Sequence, residues 1–297
     1  MSDLREIIRE YQRRPNESFA LATLLRSTGS SYRRPGARML IAQDGSTFGS
    51  LSAGCLEDEV AAAAVDVIAH GEPHLMSFDT RRRFGCHGTI KIYVEPVSRT
   101  FLDEIAQKLE ARRSFSITTK FEDEEFVQQI EPTIRLLVIG NGPDGDALRA
   151  QARLLGWEVV IMASIADWCG EFDAHTVAII TTHNYGRDCA ALRFLLPLGL
   201  PYVGVIGPRR RREELLIDVL DSGAELKSNL FAPAGLDLGA ETSPEIALAI
   251  VSEIQNVFAG GSGESLRHSN LPIHHESRRD NSSRGKFEPF RPAETTR

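Results

Sequence analysis

The sequence predicts an α/β protein in two parts, a mixed α+β N-terminal domain followed by a doubly wound parallel sheet. Ile134-Arg-Leu-Leu-Val-Ile-Gly140 is a near-continuous apolar run, as expected of a strand buried on both faces of a parallel sheet. Similar runs at 158–162, 176–180 and 202–206 alternate with helical segments, the mark of a doubly wound sheet. The first 98 residues read instead as a mixed sheet with one or two helices, in which Asp44-Gly45 is a strong hairpin turn.

The elements follow in order. Residues 3–13 form a helix with Leu4, Ile7, Ile8 and Tyr11 on one face. Residues 18–25 form a strand. A Ser-, Gly- and Pro-rich loop at 27–36 carries Arg33 and Arg34. A second strand at 37–43 is followed by a return at 46–48. A helix spans 56–69 with Gly71 as its C-terminal cap. Strands at 74–78 and 89–94 complete the N-terminal domain, residues 1–98. Residues 99–131 connect the two parts, with a helix at 98–113, a strand at 114–121 and a solvated turn at Glu122-Asp-Glu-Glu125. The Rossmann-like domain spans 132–260. Its last helix starts at Ser243-Pro244, with Ser243 as cap. Residues 261–297 are polar and rich in Ser, Arg, His and Asn, which predicts a disordered tail; His274-His275 reads as a solvated pair.

Composition sets the boundaries of function. Hydrophobic content of 42% and charged content of 25% suit a soluble globular chain, and no apolar run is long enough to span a bilayer. A net charge of −7 argues against nucleic-acid binding. The charged N-terminus has no apolar signal region, and the four cysteines have no framework spacing, which leads us to expect free thiols in the cytoplasm.

The chemically loaded stretch is Ser50-Leu-Ser-Ala-Gly-Cys-Leu-Glu-Asp-Glu59. It puts Cys55 at a helix N-terminus, where the dipole favours thiolate, although Glu57, Asp58 and Glu59 partly offset that effect. The alternative reading of Cys55 is a small buried residue in a turn. Gly85-Cys86-His87-Gly88 repeats the Gly-Cys step after Arg81-Arg82-Arg83, so the two cysteines read as one site. Gly140, Gly142 and Gly145 fit the dinucleotide fingerprint between strand and helix. Against NAD(P), the second strand ends in Met162-Ala-Ser-Ile, without an acid for the ribose. Asp144 and Asp146 also compete with an anion at the helix start. Arg209, Arg210, Arg211 and Arg212 follow Pro208 in a first helical turn. There they oppose the dipole unless an anion is bound or Glu213 and Glu214 pair with them. His183 follows another strand's C-terminal end, either a ligand contact or an ordinary loop histidine. There is no zinc spacing and no evident Ser-His-Asp order.

On these motifs the chain resembles the XdhC/CoxI family, accessory proteins of xanthine dehydrogenase and related molybdenum hydroxylases. The likeness covers about residues 10–260. It rests on Ser27-Thr-Gly-Ser-Ser-Tyr-Arg-Arg-Pro-Gly-Ala-Arg-Met39, Gly49-Ser-Leu-Ser-Ala-Gly-Cys-Leu-Glu57, Gly85-Cys-His-Gly88, Tyr202-Val-Gly-Val-Ile-Gly-Pro-Arg-Arg210 and Ala232-Pro-Ala-Gly-Leu-Asp-Leu-Gly-Ala-Glu-Thr-Ser-Pro-Glu-Ile246. Ala53 and His87 stand where the family has glycine, Pro143-Asp144 replaces His-Val, and the acid after the second strand is missing.

The resemblance implies a chaperone rather than a metabolic enzyme. Such a protein binds molybdenum cofactor (molybdopterin), engages a cysteine desulfurase during sulfuration and delivers the cofactor to an apo molybdenum hydroxylase, typically as a homodimer. It makes Cys55, Glu57, Cys86, His87, Arg34, Gly140, Gly142, Gly145, His183, Arg209 and Arg210 the candidate cofactor contacts, with Cys55 and Cys86 facing the metal. An NAD(P)-dependent oxidoreductase with Cys55 as catalytic thiol, and a scaffold with structural cysteines, are the competing readings.

Overall fold

The computed structural model describes residues 2–29, 32–54, 56–79, 88–268 and 286–289. The chain divides into two compact units, Met1–Pro132 with Asn281–Arg297, and Thr133–Asp280.

In the first unit, α1 (Ser2–Arg13) precedes β1 (Phe19–Gly29), β2 (Arg38–Ala42) and β3 (Thr47–Gly49). Then come α2 (Glu57–His70), β4 (His74–Asp79), β5 (Gly88–Val97) and α3 (Arg99–Glu110). The five strands lie in the order β3-β2-β1-β5-β4. The mixed sheet expected here is antiparallel at every described ladder. Strand alternation sorts its side chains into two cores. Ala20, Ala22 and Leu24 pack with Val60, Ala64 and Val67 of α2, while Phe19 and Leu21 pack with α1 and α3. Gly71, with φ of 75°, caps α2 by donating its N–H to the Val67 carbonyl.

The loop expected from residue 27 begins later, because β1 runs on to Gly29. Beyond an irregularity at Leu24/Arg26, pairing with β5 continues from Arg26↔Lys91 to Gly29↔Gly88. Beyond α3, β6 (Phe115–Phe121) turns at Glu122, whose φ is 48°, into β7 (Glu124–Ile130). The acidic turn is therefore shorter than predicted. Glu124 and Glu125 belong to a strand whose alternation was hidden by their charge, with Phe126 and Ile130 buried. Of the expected disordered tail, β13 (Lys286–Pro289) pairs antiparallel with β7. Its residues 269–285 and 290–297, His274 and His275 among them, lie outside the described residues.

In the second unit, β8 (Arg135–Ile139), α4 (Pro143–Leu154), β9 (Glu158–Met162), β10 (Thr176–Ile180), α5 (Tyr185–Leu195), β11 (Val203–Val205), α6 (Arg209–Asp221), β12 (Leu230–Phe231) and α7 (Ser243–Ala259) follow in turn. The parallel sheet has the order β12-β11-β10-β8-β9. One face packs Leu136, Val138 and Ile179 against Leu148 of α4 and Ile250 and Ile254 of α7. The other packs Leu137, Ile139 and Ile180 against Leu192 of α5 and Leu215 and Val219 of α6. The doubly wound sheet is thus present as predicted. The cap of α7 is one residue earlier than expected: Thr242 is the N-cap, and Glu245 accepts from its backbone N–H at 2.9 Å.

Candidate functional site

The register of the first sheet gathers the motif stretches. Gly29 at the end of β1 lies opposite Gly88 at the start of β5. Asp79 at the end of β4 lies opposite Thr89, and Gly49 at the end of β3 opposite Met39. The connections β1–β2, β3–α2 and β4–β5 therefore leave from one end of the sheet. Their anchor points are tied: Thr89 donates its backbone N–H to the Thr28 hydroxyl at 3.0 Å. Cys55 sits on the second connection, and Cys86 and His87 on the third. These three residues and Arg81, Arg82 and Arg83 lie outside the described residues.

On the second connection, Glu57 turns back from the first turn of α2 over its own approach loop. Its Oε1 accepts from the backbone N–H groups of Ser52 at 2.7 Å and Leu51 at 3.2 Å. Its Oε2 accepts from the Ser52 hydroxyl at 2.6 Å and the Leu56 N–H at 3.1 Å. Burial alone would raise the carboxyl pKa. The Ser52 hydroxyl and the Ser52 and Leu56 amides outweigh it and hold the group below its ordinary value. Glu57, a candidate cofactor contact by sequence, clamps its own approach loop in the structure. Gly54, with φ of 97°, has open space among the described residues where a side chain would project.

On the first connection, Arg33 is half-buried and Arg34 exposed. Burial lowers the Arg33 pKa and the attraction of Glu57 opposes that, so the charge of Arg33 lies within reach of the clamp. The turn is held to β1, Gly36 donating its N–H to the Leu24 carbonyl at 2.7 Å and Leu24 donating its own to Ala37 at 2.9 Å.

In the second unit the fingerprint occupies the switch point between β8 and β10, where the strand order reverses. Gly140 has φ of 135°, and a Cβ there would lie 2.6 Å from the Thr181 carbonyl carbon, so only glycine fits. Gly142, with φ of 142°, opens to space among the described residues, whereas Gly145 would give a Cβ ordinary contacts of 3.5 Å with Ile161 and Val138. His183, with φ of 52°, carries its Nε2 3.3 Å from Asp144 Oδ2, so the acid at the start of α4 is paired. The acid nearest the end of β9 is Asp167, which accepts from the Ser164 N–H at 3.0 Å in a capping box.

Two of the arginines of α6, Arg210 and Arg211, are paired within this unit. Asp188, 1% exposed, accepts from Arg211 Nη2 at 2.7 Å and from the Thr182 hydroxyl. Arg210 donates to Glu214 at 3.2 Å on the surface. The side chain of Arg209 lies outside the described residues. The sequence reading missed Asp188, because nothing in Tyr185-Gly-Arg-Asp188 distinguishes a buried acid from a surface one. It also missed Arg38, for which a signal existed: Arg38, Leu40 and Ala42 alternate, which puts the arginine on an inward face.

Among the described residues, no group of three His, Cys, Asp or Glu side chains is arranged to hold a metal ion, and no helix is long and apolar enough to cross a membrane.

Two family models match the chain, the XdhC and CoxI family over residues 12–79 and the XdhC Rossmann domain over residues 136–254. A probable xanthine dehydrogenase subunit from Bacillus subtilis (strain 168) is 26% identical, across 80% of this chain and 92% of that protein. The molybdenum cofactor insertion chaperone PaoD of Escherichia coli (strain K12) is 23% identical, across 80% of this chain and 82% of its own length. The crystal structure of a xanthine dehydrogenase from Bacillus halodurans shares the fold, with a TM-score of 0.75 at 23% identity over 91% of this chain and 98% of that one.

Proposed function

Because the chain belongs to the XdhC and CoxI family, we propose that it is an accessory protein that carries molybdenum cofactor for a xanthine dehydrogenase-type hydroxylase. The single observation that supports this best is the shared sheet end from which all three motif connections of the first unit leave. The names of the Bacillus subtilis and Escherichia coli relatives point the same way.

The donor set suits such a cargo. Molybdenum cofactor is anionic at its phosphate and dithiolene and supplies the metal centre the hydroxylase uses. Arg33 and Arg34 offer cations, and the open space at Gly54 lets a ligand approach the backbone. In this reading Cys55 and Cys86 are the thiols for the molybdenum end, with His87 beside the second. Glu57 acts on the cargo through the loop it clamps. The protein then presents the cofactor to a cysteine desulfurase for sulfuration and hands it to the apo-hydroxylase, acting as a cytoplasmic homodimer. A hydride-transferring NAD(P) enzyme is the poorer reading, since Asp144 puts an acid in the first turn of α4 and Asp167 is engaged in its own cap.

The test is the molybdenum and pterin content of the protein purified without air from a cofactor-producing host, beside the Cys55→Ala and Cys86→Ala variants. Near-stoichiometric cofactor that is lost in a cysteine variant is expected. A wild-type protein that carries none overturns the reading.

A further inference from the structure

Arg38 is a buried guanidinium that the fold does not fully satisfy. It is 3% exposed, and its Nε and Nη2 have no hydrogen-bond partner among the described residues. Burial pulls its pKa down to about 10, with Glu95 offsetting part of the effect. Taking such a charge out of water is unfavourable, and an aliphatic side chain at this site would avoid that cost. What the guanidinium supplies is specific: Nη1 donates both to the Gly36 carbonyl, at 3.2 Å, and to Gln128 Oε1.

Gln128 meets Gly36 a second time. A Cβ built on Gly36, whose φ is 94°, would lie 2.2 Å from Gln128 Nε2, so the amide rests against the glycine backbone. The turn around Gly36 is thus held by two sets of contacts. Leu24 of β1 holds it by two backbone hydrogen bonds, and Arg38, itself bonded to Gln128, holds the Gly36 carbonyl. Gln128 belongs to β7, in a hairpin that carries no candidate site residue. The gripped turn carries Arg33, whose charge is coupled to Glu57, and Glu57 clamps the loop that leads into Cys55.

We infer that Gln128 and Arg38 are positioning residues of the cofactor site, setting through Gly36 the direction in which the Arg33–Arg34 turn presents its cations to the Glu57-clamped loop. What the site holds rests on the proposed function; the positioning itself does not. The hairpin thereby acts on the site without touching a ligand.

The experiment uses the full chain with Gln128→Ala, Gln128→Glu and, as control, Thr118→Ala at an exposed position of β6. The first readout is the iodoacetamide alkylation rate of the Cys55 peptide by mass spectrometry, with exposed Cys169 as internal reference. The second is cofactor content of protein from the anaerobic preparation. Gln128→Ala is expected to change the Cys55 rate by about threefold or more, since thiol reactivity follows local charge and exposure, with Cys169 unaffected. It should also lower cofactor content. Gln128→Glu keeps an acceptor for Arg38 and should restore both. An unchanged Cys55 rate in Gln128→Ala, or failure of Gln128→Glu to rescue, overturns the inference. If the wild-type chain carries no cofactor, the functional reading falls while the Cys55 rate still decides the positioning.

Discussion

Helices α2 and α4 both follow a glycine-bearing loop and both start with acids, yet the two acids act over different ranges. Glu57 bends back onto its own loop and bonds groups within seven residues of itself. Asp144 meets His183, which arrives from the far side of the switch point. Helix α6 reverses the signs, with arginines in its first turn, and there the buried Asp188 of α5 supplies the counter-charge for Arg211. Charge at a helix start therefore says little about a ligand until one knows whether the protein already answers it. In the first unit the acid is absorbed in building a loop, and an exposed cation, Arg34, stands on the neighbouring connection. In the second, Arg211 is neutralised from within and Arg210 pairs with Glu214.

The most severe way to test this contrast is to remove the internal counter-ion. Asp188→Ala leaves Arg211 without its buried counter-ion and should cost about 3–5 kcal/mol in urea unfolding. Adding Arg211→Met should recover much of that loss, because the double variant leaves no buried charge unpaired. A small effect of Asp188→Ala would mean that the arginines of α6 are not neutralised from within.

Half-buried Glu95, beside buried Arg38 in the first unit, gives a pH test. Burial pushes Glu95 up to about 7, against the lowering pull of Arg38, from an ordinary value of 4.5. The folded state then holds this proton more tightly than the unfolded state. The Glu95 contribution to stability falls as pH rises from 4.5 to about 7 and is level outside that window, a change of about 3 kcal/mol. Glu95→Gln should flatten this part of the pH profile, read as urea midpoints between pH 4.5 and 8.

Smaller effects sharpen the comparison of the two helix starts. Glu57→Ala removes charged hydrogen bonds from partly buried amides and should cost about 2 kcal/mol. Hydrogen exchange at Leu51 and Ser52 should rise selectively. Gly145→Ala puts a methyl into ordinary contact inside α4 and should stabilise by up to about 1 kcal/mol in thermal unfolding. A loss there would show that the third glycine is needed sterically. Asp144→Asn, at a pair whose histidine is exposed, should shift stability by about 0.5 kcal/mol or less. A cost matching that of Glu57→Ala would erase the distinction between the two starts.

Much of the fold was legible in the chain. Strands 158–162 and 176–180 were read at the residues where they occur, because strands covered by helices leave apolar runs, fully buried at 176–180 and partly buried at the edge strand 158–162. The hairpin turn at Asp44-Gly45 and the cap at Gly71 were legible for a similar reason, since local backbone needs select local residue types. Strand β7 escaped because Glu124 and Glu125 open it, and a charged start disguises a strand with one buried face. The identities of the candidate cysteines and arginines were also plain from the motifs alone.

Other features belong to the tertiary structure. Register decides which loop stands beside which, and the pairings Gly29↔Gly88, Asp79↔Thr89 and Gly49↔Met39 bring three connections to one sheet end although they are spread over some sixty residues. Burial decides whether an acid is solvated or becomes a counter-ion, which separates Asp188 from an ordinary surface aspartate. Hydrogen-bond closure made Glu57 the clamp of its own loop and linked Gln128 to Gly36 through Arg38. Sequence carries what depends on near neighbours, such as periodicity, turn chemistry and caps. Contacts between distant residues exist only once the chain has paid its conformational entropy and packed, and at those contacts charges are paired and loops are aimed.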